Sequence, residues 1–406
     1  MKKLTFKGDS SIQTVLISDL LEQRIEYQTI SEDAPLLAFT IADGVINPED
    51  KKSNKRDFLI KDKDNKRFEL TEKDDIIYNP ANVVFGAIHR NTLGRGVVSP
   101  IYKIFKCVHV DSSYMDCVVT RASFIHELSK YAEGSVTKLR TLAPESFLNI
   151  EITLPTDITQ QHEIGTFIES LQAKIVHENA KVEKLKALKL SMLTKMFPKE
   201  GKTVPEIRFK GFTEEWEQRK LSDVSAVSTG CPFDSKDFTD DGTYLVITNG
   251  NIQDTSANVD GTVGNRITVS VDKALNSYLL DIGDILVTMD GTVGRTAKVS
   301  ENGQILAQRV GRLKATIDSE FLYQWLNTGV FSKAMMELSH GGTIKHISLD
   351  EIRSFVSAVP TDADEQKQIG KYFKYLDNLI TLHQRKYEKL IDTKKAFLEK
   401  LIGGEN

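Results

Sequence analysis

The chain has 406 residues, enough for two domains of ordinary size plus additional helix. Lys and Arg number 53 against 57 Asp and Glu, a net charge of −4, so a nucleic-acid role requires a locally basic face among acidic flanks rather than overall attraction. Cys107, Cys117 and Cys231 have no paired short spacing, which argues against a disulfide framework or a zinc knuckle; with no signal-peptide run after Met1 and no stretch near membrane length, a cytoplasmic protein is expected.

Residues 1–155 read as a first mixed globule. Strand-like runs lie at 75–78, 83–86 and 101–105, and a helical pattern occupies 121–133. Three polar, glycine-rich loops stand out: His89-Arg90-Asn91, Gly94-Arg95-Gly96, and 134–140 with Lys138 and Arg140. Glycine permits close backbone approach, and Arg, Lys, Asn and Thr are side chains that contact phosphates and base edges. Ordinary turns are the rival reading of any one of them. Tyr78-Asn79-Pro80-Ala81 is reminiscent of the Asn-Pro-Pro-aromatic motif of amino-methyltransferases but lacks the second proline and the aromatic residue.

Residues 156–200 form a first long helix. Ile164, Ile168, Leu171, Ile175, Val182, Leu185, Met192 and Met196 follow alternating steps of four and three, with Glu178 and Lys189 in the two remaining slots. That spacing is a heptad seam. Seven lysines between Lys181 and Lys202 face only Glu183 and Glu200, most simply a solvated helix face. Phe197-Pro198 and Pro205 end the helix in a linker. Gly201-Lys202-Thr203 mimics the end of a phosphate-binding loop, yet Met196 holds the position of the required first glycine.

Residues 201–358 read as a second globule. Runs at 244–247, 284–287 and 297–299 answer the strands of the first, and a helical pattern covers 319–338. Its prominent loops are Asp290-Gly291-Thr292-Val293-Gly294-Arg295 and Gly341-Gly342-Thr343-Ile344-Lys345-His346. Residues 359–406 then repeat the long helix at an offset of 205, without a gap. Pro155, Gln161, Ile164-Gly165, Leu171, Ile175, Leu185 and Lys189 recur as Pro360, Gln366, Ile369-Gly370, Leu376, Ile380, Leu390 and Lys394. His383 fills the slot matching Glu178. Both are read as register devices of the seam.

A period this long is a domain duplication rather than a solenoid. The expectation is an α+β protein: two similar globules joined by two long antiparallel helices, a coiled-coil spacer, with an internal pseudo-twofold repeat. The natural ligand of such a chain is bipartite. No Gly-x-Ser-x-Gly or His-Glu-x-x-His motif and no glycine-rich cofactor loop is present, which argues for a binding protein without its own active site. The candidate DNA-contacting residues are Arg90, Asn91, Arg95, Lys138, Arg140, Thr292, Arg295, Thr343, Lys345 and His346, with no metal site and no catalytic residue.

Three features together resemble a known family. They are Trp216-Glu217-Gln218-Arg219-Lys220-Leu221-Ser222-Asp223-Val224 opening a globule, Gly283-Asp284-Ile285-Leu286-Val287 followed by Gly291-Thr292-Val293-Gly294, and a Pro-x-x-x-x-x-Gln-x-x-Ile-Gly helix start closing it. The chain is similar over its whole length to the specificity subunit of type I restriction-modification enzymes. The first globule is the less typical, lacking the tryptophan opening and the Gly-Thr-Val-Gly loop. The resemblance implies that each globule is a target recognition domain reading one half of a bipartite double-stranded DNA site, with the helices as spacer. It further implies two modification (methyltransferase) subunits that carry S-adenosylmethionine and methylate adenine, and restriction subunits that translocate and cleave. A protein scaffold with two binding globules, or the remnant of a single-chain methyltransferase, are the rival readings.

Overall fold

The structure is a computed structural model, and it describes residues 11–51, 66–132, 141–254, 256–268 and 273–402. It divides into two compact units, Met1–Glu178 with Lys386–Asn406, and Asn179–Arg385. Each mixes helix and sheet, so the α+β expectation is borne out.

In the first unit, Ile12–Leu16 pairs antiparallel with Glu151–Pro155, the strand that runs into the long helix. Beside it lies a four-stranded antiparallel sheet in the order Leu21–Arg24, Lys103–Cys107, Ile76–Tyr78, Ile88–Arg90. A smaller sheet joins Tyr27–Gln28, Phe68–Thr71 and Gly96–Val98. The helices Ser112–Thr120, Ala122–Tyr131 and Pro144–Leu148 follow the large sheet. Tyr78 stacks on Phe105 at 5.7 Å, with Phe147 tilted against both. Burying aromatic area of this kind supplies much of the apolar driving force of a small core.

The second unit repeats the plan. Glu217–Lys220 pairs with Val356–Val359, and the four-stranded sheet runs Ser225–Thr229, Val310–Ala315, Ile285–Thr288, Thr296–Lys298, again all antiparallel. Its second sheet is larger and mixed, with Tyr244–Ile247 parallel to Gln304–Leu306. The helices are Ser319–Leu326, Val330–Leu338 and Leu349–Ser354.

The sheet registers correct the strand matches drawn from sequence. Ile76–Tyr78 corresponds to Ile285–Thr288, and Lys103–Cys107 to Val310–Ala315, because each sits at the same place in its sheet. Tyr244–Ile247 belongs to the second sheet, and Val83–Phe85 is a single 3₁₀ turn closed by Gly86 at φ 91° rather than a strand. The pattern read over 319–338 is two helices, broken where Gly329 adopts φ 88°.

The long helices run Ile158–Met196 and Ala363–Ile402, 39 and 40 residues. In the first unit the start of one packs on the end of the other: Phe167 meets Phe397 edge-on at 5.1 Å, Lys394 Nζ donates to Gln172 at 2.8 Å, and Lys386 Nζ donates to Glu178. One residue number rises as the other falls, so this pair is antiparallel. In the second unit Lys189 Nζ meets Asp377 Oδ1 at 2.6 Å.

The seam expected from sequence is buried less by helix on helix than anticipated. Ile164, Ile168 and Leu171 enter the core of the first globule, with Leu390 and Phe397 packed on its margin. Ile369, Phe373 and Leu376 enter the second core beside Trp216 and Phe321, with Leu185 at its margin. Ile175 and Glu178 are buried, while Ile380 and His383 are half-buried. The heptad spacing is met, but each helix's first turns use it to dock on their own globule.

Two residues of the repeated motif explain that docking. Gln161 Nε2 donates to the Pro155 carbonyl at 2.8 Å while its Oε1 accepts from the Asp111 amide at 2.9 Å. Gln366 does the same with the Pro360 carbonyl at 2.8 Å and the Asp318 amide at 3.3 Å. Asp111 and Asp318 cap the helices they start, accepting from Tyr114 and Phe321. A Cβ on Gly165 would strike Ser113 Oγ, and one on Gly370 would lie 2.6 Å from Asp318 Oδ1. Glycine is needed where each capped helix meets the long one.

Candidate nucleic-acid interface

The loop after Ile285–Thr288 is built by its own residues. Gly291 and Gly294 adopt φ 73° and 79°, the left-handed region that favours glycine. Thr288 Oγ1 donates to the Thr292 carbonyl at 2.5 Å and accepts from the Arg295 amide at 3.0 Å, and the Gly294 amide donates to the Thr288 carbonyl at 2.9 Å. Val293 is buried as an anchor, which leaves Gly291 and Thr292 at the exposed tip.

The second glycine-rich loop lies directly against this one. His340 and His346 exchange backbone hydrogen bonds at 3.1 and 2.8 Å, closing the 341–345 segment as a hairpin. The Gly291 amide then donates to the Lys345 carbonyl at 2.8 Å, and the Ile347 amide to the Met289 carbonyl at 2.9 Å. Asp290 fastens the junction with one carboxylate: Oδ1 takes His346 Nδ1 and Oδ2 takes Arg309 Nη1 at 3.0 Å. Burial works to raise the Asp290 carboxyl, but the bonds from His346 and Arg309 outweigh it and hold it below the ordinary carboxylate range.

Thr292 is thereby brought beside Thr343, Lys345 and His346, which lie far from it in sequence, and the four share one edge of the second unit. Thr292 and Thr343 are exposed, and Lys345 and His346 are half-buried. Arg295 stands where the loop returns to the sheet, its guanidinium on Asp254. Two residues of this edge were missed in the sequence, Arg309 and His340. Arg309 was signalled only as part of the polar step Gln308-Arg309 after the apolar run 305–307, and His340 only as the mate of His346 across the Gly341-Gly342 turn.

The first unit is arranged differently. Arg90 Nη1 donates to Asp74 at 3.1 Å and Ser112 at 3.2 Å, Nη2 donates to Glu169, and the side chain is 10% exposed. Its register counterpart is Lys298, which bonds Glu320 at 2.7 Å in the same place. Asn91 is fully buried, donating to Thr71, Glu72 and Gly94 and accepting from the Leu93 and Gly94 amides. Both side chains face inward and brace the sheet. Arg95 is partly exposed, tied to Glu72, to Asp33 at 2.9 Å and to Gln28. Lys138 and Arg140 lie outside the described residues.

The loop corresponding to Gly291–Gly294 is the turn 79–87. It joins the matching strands, and it carries Phe85, 70% exposed, at its tip. The Asn79-Pro80 step is part of that turn, Asn79 Oδ1 accepting from the Ala81 amide at 3.0 Å. Tyr78 is buried, its hydroxyl donating to the Leu142 carbonyl at 3.1 Å. Burial also pushes the Cys107 and Cys117 thiols up to about 12. Among the described residues no group of three or more His, Cys, Asp or Glu could hold a metal ion, and no helix is long and apolar enough to cross a membrane.

Residues 213–391 match the family described as the type I restriction modification DNA specificity domain. Two curated relatives come from Methanocaldococcus jannaschii. The type I restriction enzyme MjaVIII specificity subunit is 26% identical over 279 residues, which cover 64% of this chain and 63% of the relative. The putative MjaX specificity subunit is 21% identical over 285 residues, covering 68% and 64%. The chain thus spans under two thirds of the length of both. Its fold is similar to that of a type I restriction-modification S subunit from M. genitalium, with TM-score 0.66, 12% identity and coverage of 100% and 99%. A structure concerned with assembly and conformational transition of the type I restriction-modification system matches with TM-score 0.51, 15% identity and coverage of 99% and 100%.

Proposed function

We propose, from the premise that this chain carries a type I restriction modification DNA specificity domain, that it is the sequence-reading subunit of a type I restriction-modification complex. Residues 1–155 and 201–358 are the two target recognition domains, each reading one half of a bipartite DNA site. Residues 156–200 and 359–406 are the spacer that sets the interval between half-sites and docks two modification subunits. Those subunits hold S-adenosylmethionine and transfer the methyl group, and restriction subunits complete the assembly in the cytoplasm. The chain itself selects the site and performs no covalent step.

The observation that carries this reading is one sheet order used twice with different loops at the corresponding hairpin. The turn 79–87 offers Phe85 where the loop after Ile285–Thr288 offers Gly291 and Thr292. A shared frame with divergent tips fits two readers of different half-sites, because base edges are read by side chains while the frame supplies position. In the second unit the Asp290 carboxylate ties the side chains of His346 and Arg309 while backbone bonds join the 289–291 and 345–347 segments, so the groups of this edge are ordered without a ligand, which lowers the ordering cost of binding.

Labelled methyl transfer tests the assignment. Modification subunits with this chain should methylate a specific bipartite sequence, and neither the chain alone nor the modification subunits alone should do so. A protein scaffold would instead bind its targets without the steep salt dependence of a phosphate-contacting protein.

A further inference from the structure

Arg309 has an unusual backbone. Its φ is 68°, and among the described residues Asp74 is the other non-glycine residue with positive φ. Asp and Asn enter this region with some ease; an arginine there is strained. The strain is imposed from both sides. The Gln308 amide donates to the Cys231 carbonyl at 2.8 Å, and the Val310 carbonyl accepts from Thr229 Oγ1 at 2.9 Å, so the residue between them cannot relax. The result is a side chain that is 63% exposed yet tethered at one nitrogen, Nη1, by Asp290.

We propose that Arg309 reads a guanine in the half-site of the second unit, and that Asp290 is its positioning residue. The inference rests on the function proposed above and specifies the reading group within it. A guanidinium held at one nitrogen keeps donors for the two major-groove acceptors of guanine, the commonest specific side-chain contact to DNA. Strained backbone conformations persist where surrounding structure over-determines them, and they cluster at ligand clamps. Asp290 links Arg309 to His346 through the two oxygens of one carboxylate, so the arginine and the 341–345 hairpin are set together. In the first unit the register counterpart is Ile101, which is exposed and apolar, so the two half-sites are read by different chemistry at the matching place.

The test uses the chain assembled with its modification subunits and sequencing of the methylated sites. Arg309→Gly removes the side chain and suits the positive φ, so it keeps the fold. It should relax one G·C pair in one half-site, with discrimination there falling about 5- to 150-fold, and leave the other half-site intact. Arg309→Lys keeps the charge but loses the fork and should relax the same pair. Asp290→Asn should relax that pair in part, whereas a merely structural role would lower methylation evenly at all positions. The proposal is overturned if Arg309→Gly leaves every position of the motif as stringent as before, whether methylation is unchanged or uniformly weakened. It is also overturned if Arg309→Gly and Arg309→Lys differ only in overall methylation and at no position in stringency, the outcome for a phosphate contact. A parent complex that methylates no bipartite motif would instead refute the underlying function.

Discussion

Single residues decide where each globule meets its long helix. Gly370→Ala would place a methyl 2.6 Å from Asp318 Oδ1 and 3.0 Å from the Phe321 amide nitrogen, within the cap of a helix. The expected cost is about 1–3 kcal/mol, read from urea unfolding. An unchanged midpoint would mean that the cap can shift freely. Asp111 at the equivalent cap adds a pH signature. Burial alone would raise its carboxyl, but bonds from Ser113, from His162 and from the Tyr114 amide hold it below the ordinary range. A carboxyl whose folded value is depressed contributes stability above its unfolded value, about 3.9, and that contribution is lost as pH falls through the folded value. The thermal stability of the parent should therefore exceed that of Asp111→Asn at pH 6, with the gap closing below about pH 4. Repetition in the sequence marked Gln161, Gly165, Gln366 and Gly370 as a pattern. Their clasping role depends on a strand end and a helix start 50 residues away in sequence, which local reading does not bring together. The inward direction of Arg90 and Asn91 was hidden for the same reason, since nothing in an Arg-Asn pair beside glycines says which way the side chains face.

At the scale of elements, heptad spacing marked both long helices, and the first ends at Met196, just before Phe197-Pro198. Spacing names a buried stripe but not what buries it, so the share taken by each globule was hidden. The strands were less legible. Apolar runs of three to five residues look alike, and only register told Ile285–Thr288 from Tyr244–Ile247 as the partner of Ile76–Tyr78. Within the seam, Glu178 is a buried acid whose carboxylate receives Lys386. The lysine is 56% exposed, so the cost of losing it falls on the buried carboxylate, and removing the lysine alone costs more than removing both groups. Lys386→Met should lower unfolding free energy by about 1–3 kcal/mol, and adding Glu178→Met should recover part of the loss. Additive losses in the double variant would show the pair to be uncoupled.

For the whole molecule, the repeat at an offset of 205 was visible in the helices because their residues must satisfy the same clasp twice. The globules share sheet order without sharing loops, so their kinship appears in topology rather than in letters. That division, a constant frame with variable tips, is the basis for assigning one half-site to each unit. The measurement that tests it most directly is sequencing of methylated sites after residues 201–358 are replaced by those of a relative with a different specificity. One half of the bipartite sequence should change to that of the donor while the other half stays as it was. Change in both halves, or in neither, in an active complex would contradict independent reading by the two units.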